Sequence, residues 1–300
     1  MDPLRIHPTV ARGLESDRPV VALESALITH GFDPPENVNI ARRMAAAVRD
    51  EGAVPATVAV LGGEPHIGLS AEALSRLGNL PSAHKISLRD LPLVVAHGLS
   101  GGTTVAATMH LAHQAGIQVF ATGGIGGVHR DHDEDVSADL TALATIPITV
   151  VCSGAKALLD LPRTREGLET RGIPLIGYGT ATFPAFYSQD SGLAVDASVT
   201  TAEEVVQMAR ARTALRLPGA LLVCVPVPKE SELAPDEAEA FIAQALDEAH
   251  ARGIRGKALT PYLLGRIVEL SDGRARAANE ALLVNNARVA ASIARAAAGA

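Results

Sequence analysis

VFATGGIGGVHRDHDEDVSADLTALATIPITVVCSGAK, residues Val119 to Lys156, repeats one arrangement twice: a short apolar run that ends in a small-residue turn. Val119–Ala121 leads into Gly123, Gly124, Gly126 and Gly127, where the backbone can turn sharply and approach a ligand without Cβ interference. Ile148–Cys152 reads as a second buried strand, and Ser153-Gly154-Ala155-Lys156 sets an amine just past its carboxyl end. In open α/β sheets that edge is where ligands bind. Between the two runs lie His129, Arg130, Asp131, His132, Asp133, Glu134, Asp135 and Asp139, a density of oxygen and imidazole groups suited to a divalent cation. Such a loop is equally what a solvated surface carries, and a lone lysine after a strand is commonly a surface residue. The glycines do not form a dinucleotide fingerprint, because the G-x-G-x-x-G spacing from Gly124 ends on His129, and they do not form a P-loop.

Outward from that stretch, short apolar runs alternate with segments of helical period, the pattern of a layered α/β fold. Val20–Leu23 is the first predicted strand and delivers Glu24-Ser25 at its end. The Pro34-Pro35 pair precedes a helix with Ile40, Met44, Ala47 and Val48 on one face and Gly52 as its stop. Thr57–Leu61 and His66–Leu69 flank a glycine turn and read as a hairpin. Ser70 caps a helix ending at Gly78, and Asp90 is the expected cap of another that closes at Gly98. Ser100-Gly101-Gly102-Thr103-Thr104 reads as a second glycine loop whose threonines open a helix, an arrangement that either is an ordinary cap or holds a phosphate on free backbone N–H groups.

The second half continues the alternation. Pro174–Tyr178 and Ala220–Val225 are strands, Thr201-x-x-Glu204 is a capping box, and Asp236–Arg252 is an amphipathic helix. Thr260-Pro261 is expected to cap a further helix, and Arg274–Ala297 is a long alanine-rich one carrying Asn279, Asn285 and Asn286. Phe183, Phe186 and Tyr187 fall in one loop, as a packing plug or as a wall against a flat ligand.

Composition narrows the classes. The 300 residues are 47% hydrophobic but only 3% aromatic, without tryptophan, so the core is aliphatic and large enough for one domain spanning 1–300. A net charge of −7 argues against a general nucleic-acid binder, which needs a basic face to displace counterions, and leaves room for a small anionic ligand. Cys152 and Cys224 lack Cys-x-x-Cys spacing and sit in apolar runs, the usage of a reduced compartment. No apolar leader or membrane-length stretch is evident, so a cytoplasmic protein with no membrane partner is expected.

From about Val20 to Ser292 the chain carries an ordered set of motifs: LES at Leu23–Ser25, THG at Thr29–Gly31, GAVPATVAV at Gly52–Val60 and KIS at Lys85–Ser87. They continue as GGTTVAAT at Gly101–Thr108, FATGGIGGVHR at Phe120–Arg130, SADL at Ser137–Leu140 and GAK at Gly154–Lys156. YGT and FPAFY follow within Tyr178–Tyr187, then TPYLL at Thr260–Leu264 and NNAR at Asn285–Arg288. By these motifs the chain resembles the pseudouridine-5′-phosphate glycosidase family, which also contains indigoidine synthase A-like proteins. The resemblance implies a three-layer α/β/α enzyme with a central mixed β-sheet, assembled as a homotrimer. The implied reaction is reversible cleavage of the carbon–carbon glycosidic bond of pseudouridine 5′-phosphate to uracil and ribose 5-phosphate.

The chemistry gives a reason for the residues. Direct heterolysis of a C-glycoside expels a carbanion, so ring opening with a Schiff base at C1′ is needed as an electron sink. Under the resemblance Lys156 is that amine, Glu24 the proton donor, and Asp135 the protein ligand of a Mn²⁺ ion. Lys85, Val105, Ser137, Ala138 and Asp139 fall on substrate-contacting positions, and Asn285 or Asn286, with Asn286 preferred, is expected to reach the sugar or base. A lysine-dependent aldolase or lyase on another sugar phosphate is the competing enzyme reading, and a metabolite-binding accessory protein the non-catalytic one. The FDPPEN segment, Phe32–Asn37, departs from the family's usual pattern at the expected site entrance.

Overall fold

The computed structural model describes residues 4–130, 135–254 and 259–299. In chain order β1 (Arg5–Ile6), α1 (Pro8–Glu15), β2 (Val20–Leu23), α2 (Ala26–His30) and α3 (Glu36–Asp50) come first. Next are β3 (Val54–Leu61), β4 (Glu64–Ile67), α4 (Ala71–Gly78), β5 (His84–Ile86), α5 (Leu91–Ala96), β6 (Gly101–Thr103) and α6 (Val105–Gln114). The middle of the chain forms β7 (Val119–Ala121), β8 (Val128–His129), α7 (Ala138–Thr145), β9 (Thr149–Cys152), β10 (Leu159–Asp160), α8 (Leu161–Thr170) and β11 (Leu175–Tyr178). The rest comprises β12 (Ala197–Val199), α9 (Ala202–Ala214), β13 (Leu221–Cys224), α10 (Pro235–Ala251), α11 (Leu259–Leu270) and α12 (Arg274–Ala298).

Seven strands in the order β3-β2-β7-β9-β13-β11-β12 run parallel. The β3 edge is extended by antiparallel β4 and β6, with β1 and β5 beyond them, so the sheet is mixed as expected. β8 and β10 pair separately. β2, β9 and β13 are buried at every position, which is why they read as continuous apolar runs and not as alternating ones. The main core reaches from Val10 to Ala294. α12 packs against α3 and across β2, β7 and β9, and its buried face is rich in alanine, including Ala275, Ala278, Ala287, Ala290 and Ala291, so the helix can approach the sheet closely. No helix among the described residues is long and apolar enough to cross a membrane.

Several local expectations need correction. The segment Gly101–Thr103 is a strand and not a loop. A Cβ at Gly101 would lie 2.0 Å from the His84 carbonyl oxygen, and one at Gly102 2.4 Å from that of Ser25, so these glycines permit close strand packing. Asp90 is the N-cap residue of α5 but its side chain makes no cap bond to that helix; the carboxylate accepts from the Ser87 N–H at 2.9 Å, on a preceding 3₁₀ turn. β3 starts three residues early, at Val54, and β1 and α1 precede the first strand foreseen. The Ser70 cap and the Thr201/Glu204 capping box form as read.

Candidate active site

The sheet order makes neighbours of three strand ends that are far apart in sequence. β2, β7 and β9 are adjacent and parallel, so Glu24, Thr122 and the Ser153–Lys156 turn emerge side by side at their carboxyl edge. Thr122 Oγ1 donates a hydrogen bond to Glu24 Oε1. The lysine turn is fastened to the glycine loop, with Ile125 bridged to Ala155 and the Lys156 N–H donating to the Ile125 carbonyl at 3.0 Å. Gly154 is required there, because its φ is +82° and a Cβ would sit 2.1 Å from the Pro184 carbonyl oxygen. Lys85 arrives from the other side on β5, whose partner β6 lies on the Ser25 backbone through Gly102.

Glu24, Lys85 and Lys156 thereby line one pocket of about 80 Å³, with His30, Phe186 and Asn279 around it. A second chamber of about 210 Å³ shares His30, Gly31, Phe32, Leu264 and Asn279 with it. Together they approach the lower end of the roughly 300–1,000 Å³ common for ligand sites. Glu24 is buried, and burial pushes its carboxyl pKa up. The Lys156 charge and the Thr122 hydrogen bond pull the other way, Asp139 adds to the rise and Lys85 opposes it, and the net direction is upward. Burial thus biases the Glu24 carboxyl toward its protonated form, with the Lys156 side chain lining the same pocket. Burial, then the charges of Lys85 and His84, lower the His30 pKa, so its imidazole is biased toward neutrality.

The remaining residues expected at the site lie behind or beside this pocket. Asp139 is buried; its Oδ1 accepts from the Ala106 N–H at 3.0 Å and its Oδ2 from the Gly126 N–H at 2.8 Å. The start of α6, read as either an ordinary cap or a phosphate holder, has no cap bond from the Thr104 side chain and instead gives its Ala106 N–H to the Asp139 side chain. Val105 is the buried first residue of α6, Ser137 caps α7 by accepting from the Asp139 N–H, and Ala138 is exposed. Asn286 is fully buried, donates to the Thr122 carbonyl at 2.9 Å and exchanges a hydrogen bond with the Ser153 hydroxyl, so it ties the β7 and β9 turns together from underneath. Asn279, two turns earlier on α12, is the asparagine that lines the pocket.

Asp135 is exposed, and its carbonyl accepts from the His129 N–H at 3.1 Å. Asp131, His132, Asp133 and Glu134, read as part of the same cluster, lie outside the described residues. Among the described residues no three His, Cys, Asp or Glu side chains gather as a ligand set. Sequence reasoning gave no role to Thr122 or His30, and it left Phe186 as either plug or ligand wall. Phe186 carries a signal only the backbone reveals: its φ of +65° is unusual for a bulky residue, and its ring packs where a Gly124 Cβ would come within 2.8 Å. Phe183, Phe186 and Tyr187 are all buried, so the aromatic loop is a plug, with Phe186 also serving as a pocket wall.

Known proteins share this architecture from end to end. The family model described as indigoidine synthase A like protein matches residues 9–296. A protein of Methylobacterium nodulans named pseudouridine-5′-phosphate glycosidase is 54% identical over 299 residues, covering 99% of this chain and 89% of its own length. One of the same name from Solibacter usitatus is 51% identical over 97% of this chain and 98% of its own. Among solved structures, the prealnumycin C-glycosynthase AlnA in complex with ribulose 5-phosphate superimposes with a TM-score of 0.92 at 38% identity, covering 100% of this chain and 98% of that one. An indigoidine synthase A-like protein from Thermotoga maritima gives 0.89 at 36%, over 97% and 95%. With matches that run nearly the full length at half-identical sequence, the chain belongs to the indigoidine synthase A-like family and, within it, groups with enzymes named pseudouridine-5′-phosphate glycosidase.

Proposed function

We propose that this enzyme cleaves the C1′–C5 bond of pseudouridine 5′-phosphate, reversibly, to uracil and ribose 5-phosphate. The observation that carries the reading is the convergence of Glu24, Lys85 and Lys156 on one pocket in a chain half identical to enzymes of that name. Lys156 Nζ adds to C1′ as the C1′–O4′ bond breaks, and Glu24 supplies the proton to O4′. Glu24 then recovers a proton from the alkylated nitrogen. The nitrogen lone pair forms C1′=N, the C1′–C5 electron pair leaves with the base, and Glu24 protonates C5 to give uracil. Water hydrolyses the iminium and releases ribose 5-phosphate. Lys85 supplies positive charge for an anionic substrate, and Val105, Ser137 and Ala138 are the proposed contacts of the sugar phosphate, at the starts of α6 and α7 that the buried Asp139 side chain joins.

We further assign Asp135 as the single protein ligand of a Mn²⁺ ion. Its exposed carboxylate is open to a hard cation that keeps most of its waters and so needs few protein ligands. When bound, the ion supplies positive charge toward substrate oxygens. The enzyme is proposed to act in the cytoplasm as a homotrimer. AlnA, whose solved complex holds ribulose 5-phosphate, favours a second reading in which the same amine and acid join a sugar phosphate to a different carbon acceptor.

Intact mass after borohydride treatment with ribose 5-phosphate tests the reading. A reduced sugar-phosphate adduct is expected on the wild type and not on Lys156→Ala. Uracil release with no adduct would remove the covalent role of the lysine. No uracil from pseudouridine 5′-phosphate, with an adduct formed, would favour the alternative acceptor.

A further inference from the structure

Arg130 ends the FATGGIGGVHR motif, and neither the reaction nor the substrate contacts use it. It follows β8 directly, and its guanidinium reaches the strip of chain just after the lysine. Nη2 donates to the Ala157 carbonyl at 3.2 Å and Nε to the Leu159 carbonyl at 3.3 Å. Nη1 pairs with Glu239 Oε1, and Nη2 also donates to Glu239 Oε2 at 3.0 Å, so α10 holds the fork from behind. A guanidinium is planar and rigid, so fixing one edge on a carboxylate fixes where its other donors point. Only 25% of the Arg130 side chain is exposed. The clamp faces a cavity of about 550 Å³ that includes Arg130, Ala157, Asp160 and Glu239 among its walls and none of the residues of the reactive pocket.

We propose that Arg130, held by Glu239, is a positioning residue for Lys156. It pins the two carbonyls that follow the nucleophile and so aims the amine at C1′. The inference rests on Lys156 being the nucleophile. Its scale is set by geometry, since a misplacement of about 1 Å at a reacting group costs on the order of 10²-fold in rate.

The test compares wild type, Arg130→Ala, Arg130→Lys and Glu239→Gln by steady-state uracil release, by the rate of borohydride-trapped adduct with ribose 5-phosphate, and by thermal melting. Arg130→Ala is expected to lower kcat and the trapping rate on the order of 10²-fold, with KM little changed. Guanidinium, added well below denaturing concentration, can enter the 550 Å³ cavity and is expected to restore part of that loss while leaving the wild type unaffected. Arg130→Lys retains charge but not the fork and should fall between the two, and Glu239→Gln should show the smallest loss. A folded Arg130→Ala that turns over at the wild-type rate overturns the proposal, as does a loss that guanidinium does not relieve. Should Arg130→Ala fail to fold, slowed trapping at an unchanged melting temperature in Arg130→Lys and Glu239→Gln supports it, and wild-type trapping rates in both overturn it. Absence of any adduct on the wild type instead overturns the lysine assignment, and this inference with it.

Discussion

Glu24, the proposed proton donor, is a buried group whose titration bears on stability as well. Its pKa is raised in the folded chain, so folding is favoured when it is protonated, and that advantage is lost as pH rises from the ordinary glutamate value near 4.5 through the raised one. Glu24→Gln keeps the shape, loses the proton and removes the cost of burying a charge. We expect a kcat lower by about 10²–10⁴ and, at mildly alkaline pH, a melting temperature above that of the wild type. The stability gain should vanish below pH 4.5, and thermal melts across pH check it. An equal gain at all pH values would place the effect elsewhere. The two asparagines of α12 separate by role in the same way. Asn286 bonds the Thr122 carbonyl and the Ser153 hydroxyl beneath the site, whereas Asn279 lines the pocket. Asn286→Ala should therefore lower stability by on the order of 1–3 kcal/mol, while Asn279→Ala should raise KM with little change in melting. Urea titration beside steady-state kinetics distinguishes them, and the reverse pattern would exchange the assignments.

At the scale of elements, the pocket depends on close backbone approach. β6 lies on the turn after β2 because Gly102 has no side chain; a Cβ there would also meet Thr29 Oγ1 at 2.5 Å. Gly102→Ala is expected to cost about 1–3 kcal/mol in stability and, by shifting β5, to raise KM through Lys85. Asp139 joins α6 to the glycine loop by accepting from two amides. Asp139→Ala leaves both donors buried without that acceptor, a loss on the order of 2–5 kcal/mol measurable by denaturant unfolding, and wild-type stability would contradict the bridging role. Neither device was legible in the chain. Gly-Gly before a threonine helix start has the composition of a loop, and its strand character comes from pairing with β3 and β5, which no local propensity encodes. By contrast, the caps at Ser70 and Thr201 were legible because a side chain bonding its own next turn needs nothing distant.

For the whole molecule, two expectations concern what the single chain does not contain. Sedimentation should give a mass about three times the 31.0 kDa chain if the proposed homotrimer forms, and a concentration-independent monomer would contradict it. Exhaustive chelation should abolish turnover and Mn²⁺ should restore it, with Asp135→Ala weakening Mn²⁺ binding; full activity without metal would remove the requirement. The amino-acid sequence by itself determined the α/β class and the buried strands, which follow from hydrophobic period, a local property. Strand-end position alone did not set Glu24 and Lys156 apart from structural residues; the family motifs did, because they span the whole chain. The tertiary structure alone decided that β2, β7 and β9 are neighbours, and with that the meeting of Glu24, Thr122 and Lys156. It also decided that Asn286 and Asp139 work as ties and that Arg130 closes on the lysine strip from behind. Strand order and long-range hydrogen bonds arise from how whole elements pack, and no window of sequence short enough to read by period contains both partners.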